Sequence, residues 1–182
     1  MKKTKTNILG GIIMNEKFEN VKHFNEYDNW GNLEKVNKEL IESLDKLQDM
    51  CINISRILIA PDKDAVYCDN PTDDPKSKLH NLGLAAKFYV SGPKLITFIN
   101  MLQIDKIANI TINANDYWKE KNLACSFDID IRTYNQRNNK TITFIHPTGD
   151  ILDCTKNNFN LGELMDYLLS LDFSNQNLPH EK

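Results

Sequence analysis

The sequence predicts an α+β fold, an antiparallel sheet of about five strands packed by two helices and preceded by a long amphipathic, coiled-coil-like helix. Three observations carry that prediction. Apolar residues recur at helical spacing from Leu33 to Leu58, period-two alternation governs residues 84–90 and 125–131, and helical spacing returns at 93–103 and 160–172. At 182 residues and 41% hydrophobic, the chain has the material for one domain and its core.

Residues 1–31 read as a flexible N-terminal segment, polar with scattered aromatics (Phe18, Phe24, Tyr27, Trp30). Within it, Leu9-Gly10-Gly11-Ile12-Ile13-Met14 reverse-translates to a purine-rich ribosome-binding site ahead of a start codon. On that reading residues 1–13 are not native, translation begins at Met14, and the source is a bacterium or its phage.

The long helix is expected over 32–58. Leu33, Leu40, Leu47 and Ile54 fall seven apart, Val36, Met50 and Ile57 interleave, and Leu44, Cys51 and Leu58 widen the stripe. Glu34 with Lys38 and Glu42 with Lys46 add acid-first pairs four apart. Roughly 25 residues make a helix of about 38 Å. The broad stripe favours a brace across a sheet over a pure coiled coil. Leu33, Leu40, Leu47 and Ile54 are the candidate oligomerisation residues of a homodimer built through this helix.

An α+β domain is expected over 59–173. Arg56–Ala60 and Ala65–Cys68 can form short strands, and 61–81, with three prolines and five aspartates, reads as a long exposed loop. Leu84, Ala86, Phe88 and Val90 alternate as a strand. Ser91-Gly92-Pro93 opens a helix, with Leu95, Phe98, Ile99 and Leu102 on one face. A strand follows at Ile110–Ile112, then a polar turn over 113–122 holding Trp118. Cys125, Phe127, Ile129 and Ile131 alternate with polar residues. Ile142–His146 and Ile151–Cys154 flank the turn Pro147-Thr148-Gly149-Asp150. Asn160 and Glu163 resemble a capping box before the stripe Leu161, Leu164, Leu168 and Leu171; 174–182 is a polar tail.

Function is less legible. With 22 Lys+Arg against 25 Asp+Glu and a net charge of -3, the chain does not read as a protein that neutralises many phosphates. No apolar run reaches the roughly 18 residues of a membrane span, so no membrane role is expected. Cys51, Cys68, Cys125 and Cys154 lack zinc-ligand spacing and read as reduced thiols, which favours a cytoplasmic setting, bacterial or, for a phage protein, that of the host. No metal and no cofactor are expected.

Pro61-Asp62 followed by Asp74-Pro75-Lys76 has the order of a metal-dependent nuclease motif, but the proline breaks the strand that chemistry needs. Asp128, Asp130 and Arg132 share the polar side of one strand, with His146 on a following one; such charges are commonly cross-strand pairs rather than acid–base machinery. No catalytic residue is therefore assigned. Residues 61–75 carry a charge of -4, and Asp62, Asp64, Asp69, Asp73 and Asp74, with Trp30 and Trp118, are the candidate partner-binding residues.

The expected function is a non-enzymatic, protein-binding regulator or inhibitor, encoded by a phage or mobile element and directed at a host nucleic-acid machine such as a CRISPR-associated nuclease, in the manner of an anti-CRISPR protein. A second expectation is structural. The heptad-patterned helix followed by a strand, Ser91-Gly92, a helix and two strands is similar in architecture, over residues 33–134, to the periplasmic parts of pilus and secretion platform proteins, which implies a coiled-coil scaffold. A third is weak nucleic-acid binding, with Lys2, Lys3 and Lys5 as its extra charges.

Overall fold

A computed structural model describes residues 8–9, 12–13, 15–131, 140–155 and 161–174. Strands β1 (Ile8–Leu9) and β2 (Ile12–Ile13) pair with each other. Then come α1 (Lys38–Cys51), β3 (Arg56–Ile59), α2 (Pro75–Asn81), β4 (Ala85–Ser91), α3 (Lys94–Gln103), β5 (Ile107–Trp118), β6 (Leu123–Ile131), β7 (Thr141–Ile145), β8 (Ile151–Asp153) and α4 (Leu161–Ser174). The α+β class is as expected. Arg132 and Asn160 lie outside the described residues.

The long helix is not formed. α1 has 14 residues and is bounded by two asparagines: Asn37 accepts the Glu39 amide at 2.8 Å as N-cap, and Asn53 takes a left-handed φ of 70° just past the end. Of the seven-spaced row, Leu40 and Leu47 are in the helix and wholly buried; Leu33 precedes the cap, and Ile54 follows the end, 52% exposed. The stripe looked continuous because the flanking residues pack separately. Arg56–Ile59, which a helix to residue 58 would have included, is instead the short strand also expected at Arg56–Ala60.

Residues 15–31, expected to belong to a flexible segment, are tied down, as are 32–36, expected to begin the long helix. Phe18, Phe24 and Trp30 are buried, with ring centroids 5.9 and 5.8 Å from the indole to its two neighbours. Lys17 donates from Nζ to the carbonyls of Leu33, Glu34 and Val36 at 2.6–2.8 Å, which shapes the approach to α1, and burial holds its pKa below the usual lysine value.

Six strands make one sheet in the order β3-β4-β6-β5-β7-β8. It is mixed rather than antiparallel, because β5 and β7 run parallel, Ile110 level with Ile142 and Ile112 with Phe144. Both sides of β6 are occupied, by β4 and β5. The strand after β6 therefore crosses to the free side of β5, and arriving antiparallel to β6 makes it parallel to β5. β5 also runs through the expected polar turn to Trp118, with an irregularity between Asn113 and Tyr117.

Register divides the sheet into an apolar and a polar face. Phe88, Phe127, Ile112 and Phe144 form one cross-strand row, all wholly buried, beneath α1, α3 and α4. On the opposite face lie Tyr89, Ser126 and Asn113, then Lys87, Asp128, Thr111 and Thr143. α3 and α4 are joined by the Asp172 carboxylate, which accepts the Lys94 amide and, at 3.1 Å, the Leu95 amide, capping α3 from another helix.

Candidate functional site

The acidic excursion is strapped across the polar sheet face. Pro61 ends β3, and Asp74 followed by Pro75 starts α2, with the Asp74 carboxylate accepting the Lys76 amide at 3.3 Å. Four tethers bind it to the sheet. Lys87 of β4 reaches Asp62 and Asp116, both at 2.8 Å; its amide donates to Ala65 O at 2.7 Å; Lys76 Nζ donates to Thr111 Oγ1 at 2.6 Å; and His80 bridges Val66 O and Asp128 Oδ2 at 3.3 and 3.4 Å.

Around Lys87, burial opposes the charge, but its bonds to Asp116 and Asp62 raise its pKa above the ordinary value. Asp116, also bonded by Ser126 at 2.8 Å and by Tyr89, stays ionised below the usual carboxylate range despite its burial. Burial and the same carboxylate push the Tyr89 hydroxyl up.

These contacts settle where the nuclease-like residues are. Asp62 is on Lys87, Asp74 caps α2, and Lys76 is on Thr111, each engaged separately. Asp128 meets His80, whereas His146 bonds Thr148 at 2.8 Å beyond the end of β7. Asp64, Asp69 and Asp73 are exposed. No group of three His, Cys, Asp or Glu among the described residues is placed to hold a metal ion. All four cysteines are free, three of them buried, and burial pushes the Cys125 thiol up to about 12.

Trp30 is not a surface residue. It is 1% exposed, and its indole N–H donates to Asn25 O at 2.7 Å, so it serves the core. Trp118 is different: half-buried against Tyr89 at 5.5 Å, it lines a cleft of about 710 Å³.

This cleft runs along β3, the edge strand of the sheet. One wall is the segment from Lys22 to Asn29, fastened to α1 where the Lys22 and His23 amides donate to the buried Asp45 carboxylate at 3.0 and 2.7 Å. Lys22 and His23 also meet Asp49, at 3.4 and 3.2 Å, which holds the Asp49 carboxyl below its usual range. Asn29 closes one end by donating to Ala60 O and Asp62 O at 2.6 and 2.9 Å. Arg56 is exposed at the rim, and its guanidinium has no ion-pair partner among the described residues.

At the other end Gln48 of α1 occupies the strand edge. Its carboxamide donates to Ser55 O at 2.8 Å and accepts the Ile57 amide at 2.6 Å. Sequence reasoning passed over Gln48, although a polar residue within the apolar set Leu44, Leu47 and Cys51 was the available signal. Compared with known proteins, the chain matches no family model, no curated protein and no solved structure.

Proposed function

We propose that this chain acts by binding another protein, as a regulator or inhibitor, and that the cleft along β3 is its binding surface. The observation that supports this reading is the cleft itself. It combines an open strand edge, an aromatic side chain and a guanidinium with no ion-pair partner among the described residues, the residue types that anchor interfaces, on a pre-organised frame. The charged groups of the polar face are meanwhile engaged in holding the excursion down.

A bacterial defence nuclease is the concrete target class, favoured by the small size and net negative charge of the chain. The test is size-exclusion chromatography of the full chain with a panel of CRISPR-associated nucleases, with and without guide RNA, and a cleavage assay in parallel. Co-elution and suppressed cleavage are expected, both weakened about tenfold by Arg56→Glu. No co-elution across the panel removes the nuclease target. Binding indifferent to both Arg56→Glu and Trp118→Ala removes the cleft.

A further inference from the structure

In a parallel ladder, one residue of the added strand donates its N–H to the carbonyl of residue i−1 and accepts the N–H of residue i+1. The Gln48 carboxamide does this around Arg56, giving to Ser55 O and taking from Ile57 N. It is a side-chain stand-in for one peptide unit of a strand lying outside β3. The Ala60 amide bonds inward to Lys87 O at 3.0 Å, so alternation along β3 turns the main-chain groups of Ile57 and Ile59 outward to the cleft. The next unit of the same ladder, straddling Leu58, is Ile57 O and Ile59 N. Neither has a partner outside the β3–β4 pairing among the described residues.

We infer that the cleft takes an extended segment of a partner protein, which adds to the sheet parallel to β3 and continues from Ile57 O and Ile59 N the ladder that Gln48 begins. This rests on the protein-binding reading and names the form of the partner. The residue level with Leu58 sits on the Trp118 side of the sheet and is apolar or aromatic; a carboxylate two residues away from it, on the same face, meets Arg56. Gln48 at one end and Asn29 at the other limit the contact to a short segment.

The experiment selects random dodecamers displayed on phage against the full chain, with an Arg56→Glu, Trp118→Ala double variant as counter-target. Enriched peptides are expected to carry an acidic residue two positions from an apolar one. In amide exchange by NMR, the selected peptide should slow Ile59 at least about tenfold and leave Ile57, already held by Gln48, unchanged. N-methylation of the peptide residue opposite Leu58 should abolish binding. A peptide that binds in the cleft as a helix, or leaves Ile59 exchange unaltered, overturns strand addition while the cleft stands as a binding surface. No enrichment over the counter-target overturns both. A dimer of this chain, in light scattering, whose formation protects Ile59 replaces the foreign partner with a second copy.

Discussion

His80 Nε2 lies 3.4 Å from Asp128 Oδ2, and the other ring nitrogen of His80 lies 3.3 Å from Val66 O. Both partners are acceptors, and only the imidazolium can donate to both at once. Burial alone would lower the pKa of this 8%-exposed histidine. The hydrogen bond and charge of Asp128, then the Val66 carbonyl and Asp130, outweigh it and raise the pKa.

The raised value fixes the direction of a pH effect. Stabilisation from this contact is complete below the unfolded histidine value of about 6.5 and is lost as pH rises through the higher folded value. Wild type should exceed Asp128→Asn in stability by about 1 kcal/mol at pH 6, and the gap should close toward pH 9. Urea unfolding of both proteins across that range measures it; a gap constant with pH rejects a charged latch.

Gln48 should matter more for the edge than for the helix that carries it. Replacing it with leucine leaves the Ile57 amide and Ser55 carbonyl without their buried partner, a loss of about 2 kcal/mol. Amide exchange at Ile57 should accelerate while that of the α1 amides changes only by the global destabilisation. Equal acceleration throughout α1 would mean the side chain supports the helix instead.

Lys94 is 1% exposed at the start of α3, and burial lowers its pKa against the opposing pull of Cys125 and Asp172. Lys94→Met should therefore raise unfolding stability by about 1 kcal/mol at pH 7. The unfolded lysine keeps its proton to about pH 10, so wild type gains stability as pH rises through the lowered folded value. The advantage of the variant should shrink with increasing pH, as denaturant titrations at pH 7 and 9.5 would show.

Leu40 and Leu47 distinguish an internal brace from an assembly helix. Both are wholly buried in their own chain, and Leu47→Ala should cost about 3 kcal/mol. Leu40→Ser with Leu47→Ser is expected to unfold the protein rather than dissociate it. Circular dichroism with light scattering checks this, and a folded monomer formed from a wild-type dimer would restore the coiled-coil reading.

Local patterns proved legible where one face decides them. β4, β6 and β7 alternate, and α3 and α4 carry their stripes, close to the residues that their spacing marked. Two asparagines, Asn37 and Asn53, bound α1, but the stripe runs past both, so its ends were hidden. Asp74-Pro75 was a visible cap for α2, overshadowed by the aspartates around it. The parallel β5–β7 pair depends on which strands flank β6, and the burial of Trp30 on where Phe18 and Phe24 meet it. Those are long-range facts with no local signature. The cleft shares that character, since its walls come from residues 22–24, 28–29, 48, 53–59, 91–92 and 118.

The strand order also sets a timetable for a chain leaving the ribosome. α1 emerges before every strand of the six-stranded sheet, and much of the layer it covers arrives later, with Phe127 and then Phe144 following Leu47 by roughly 80 and 100 residues. Until β6 slots between β4 and β5, the nascent polypeptide displays β4 with one side unmet and Leu40, Leu44 and Leu47 incompletely covered. Successful maturation is thus nearly all-or-none with respect to translation, and a product truncated before Ile145 would be a substrate for chaperones and proteases rather than a partial domain.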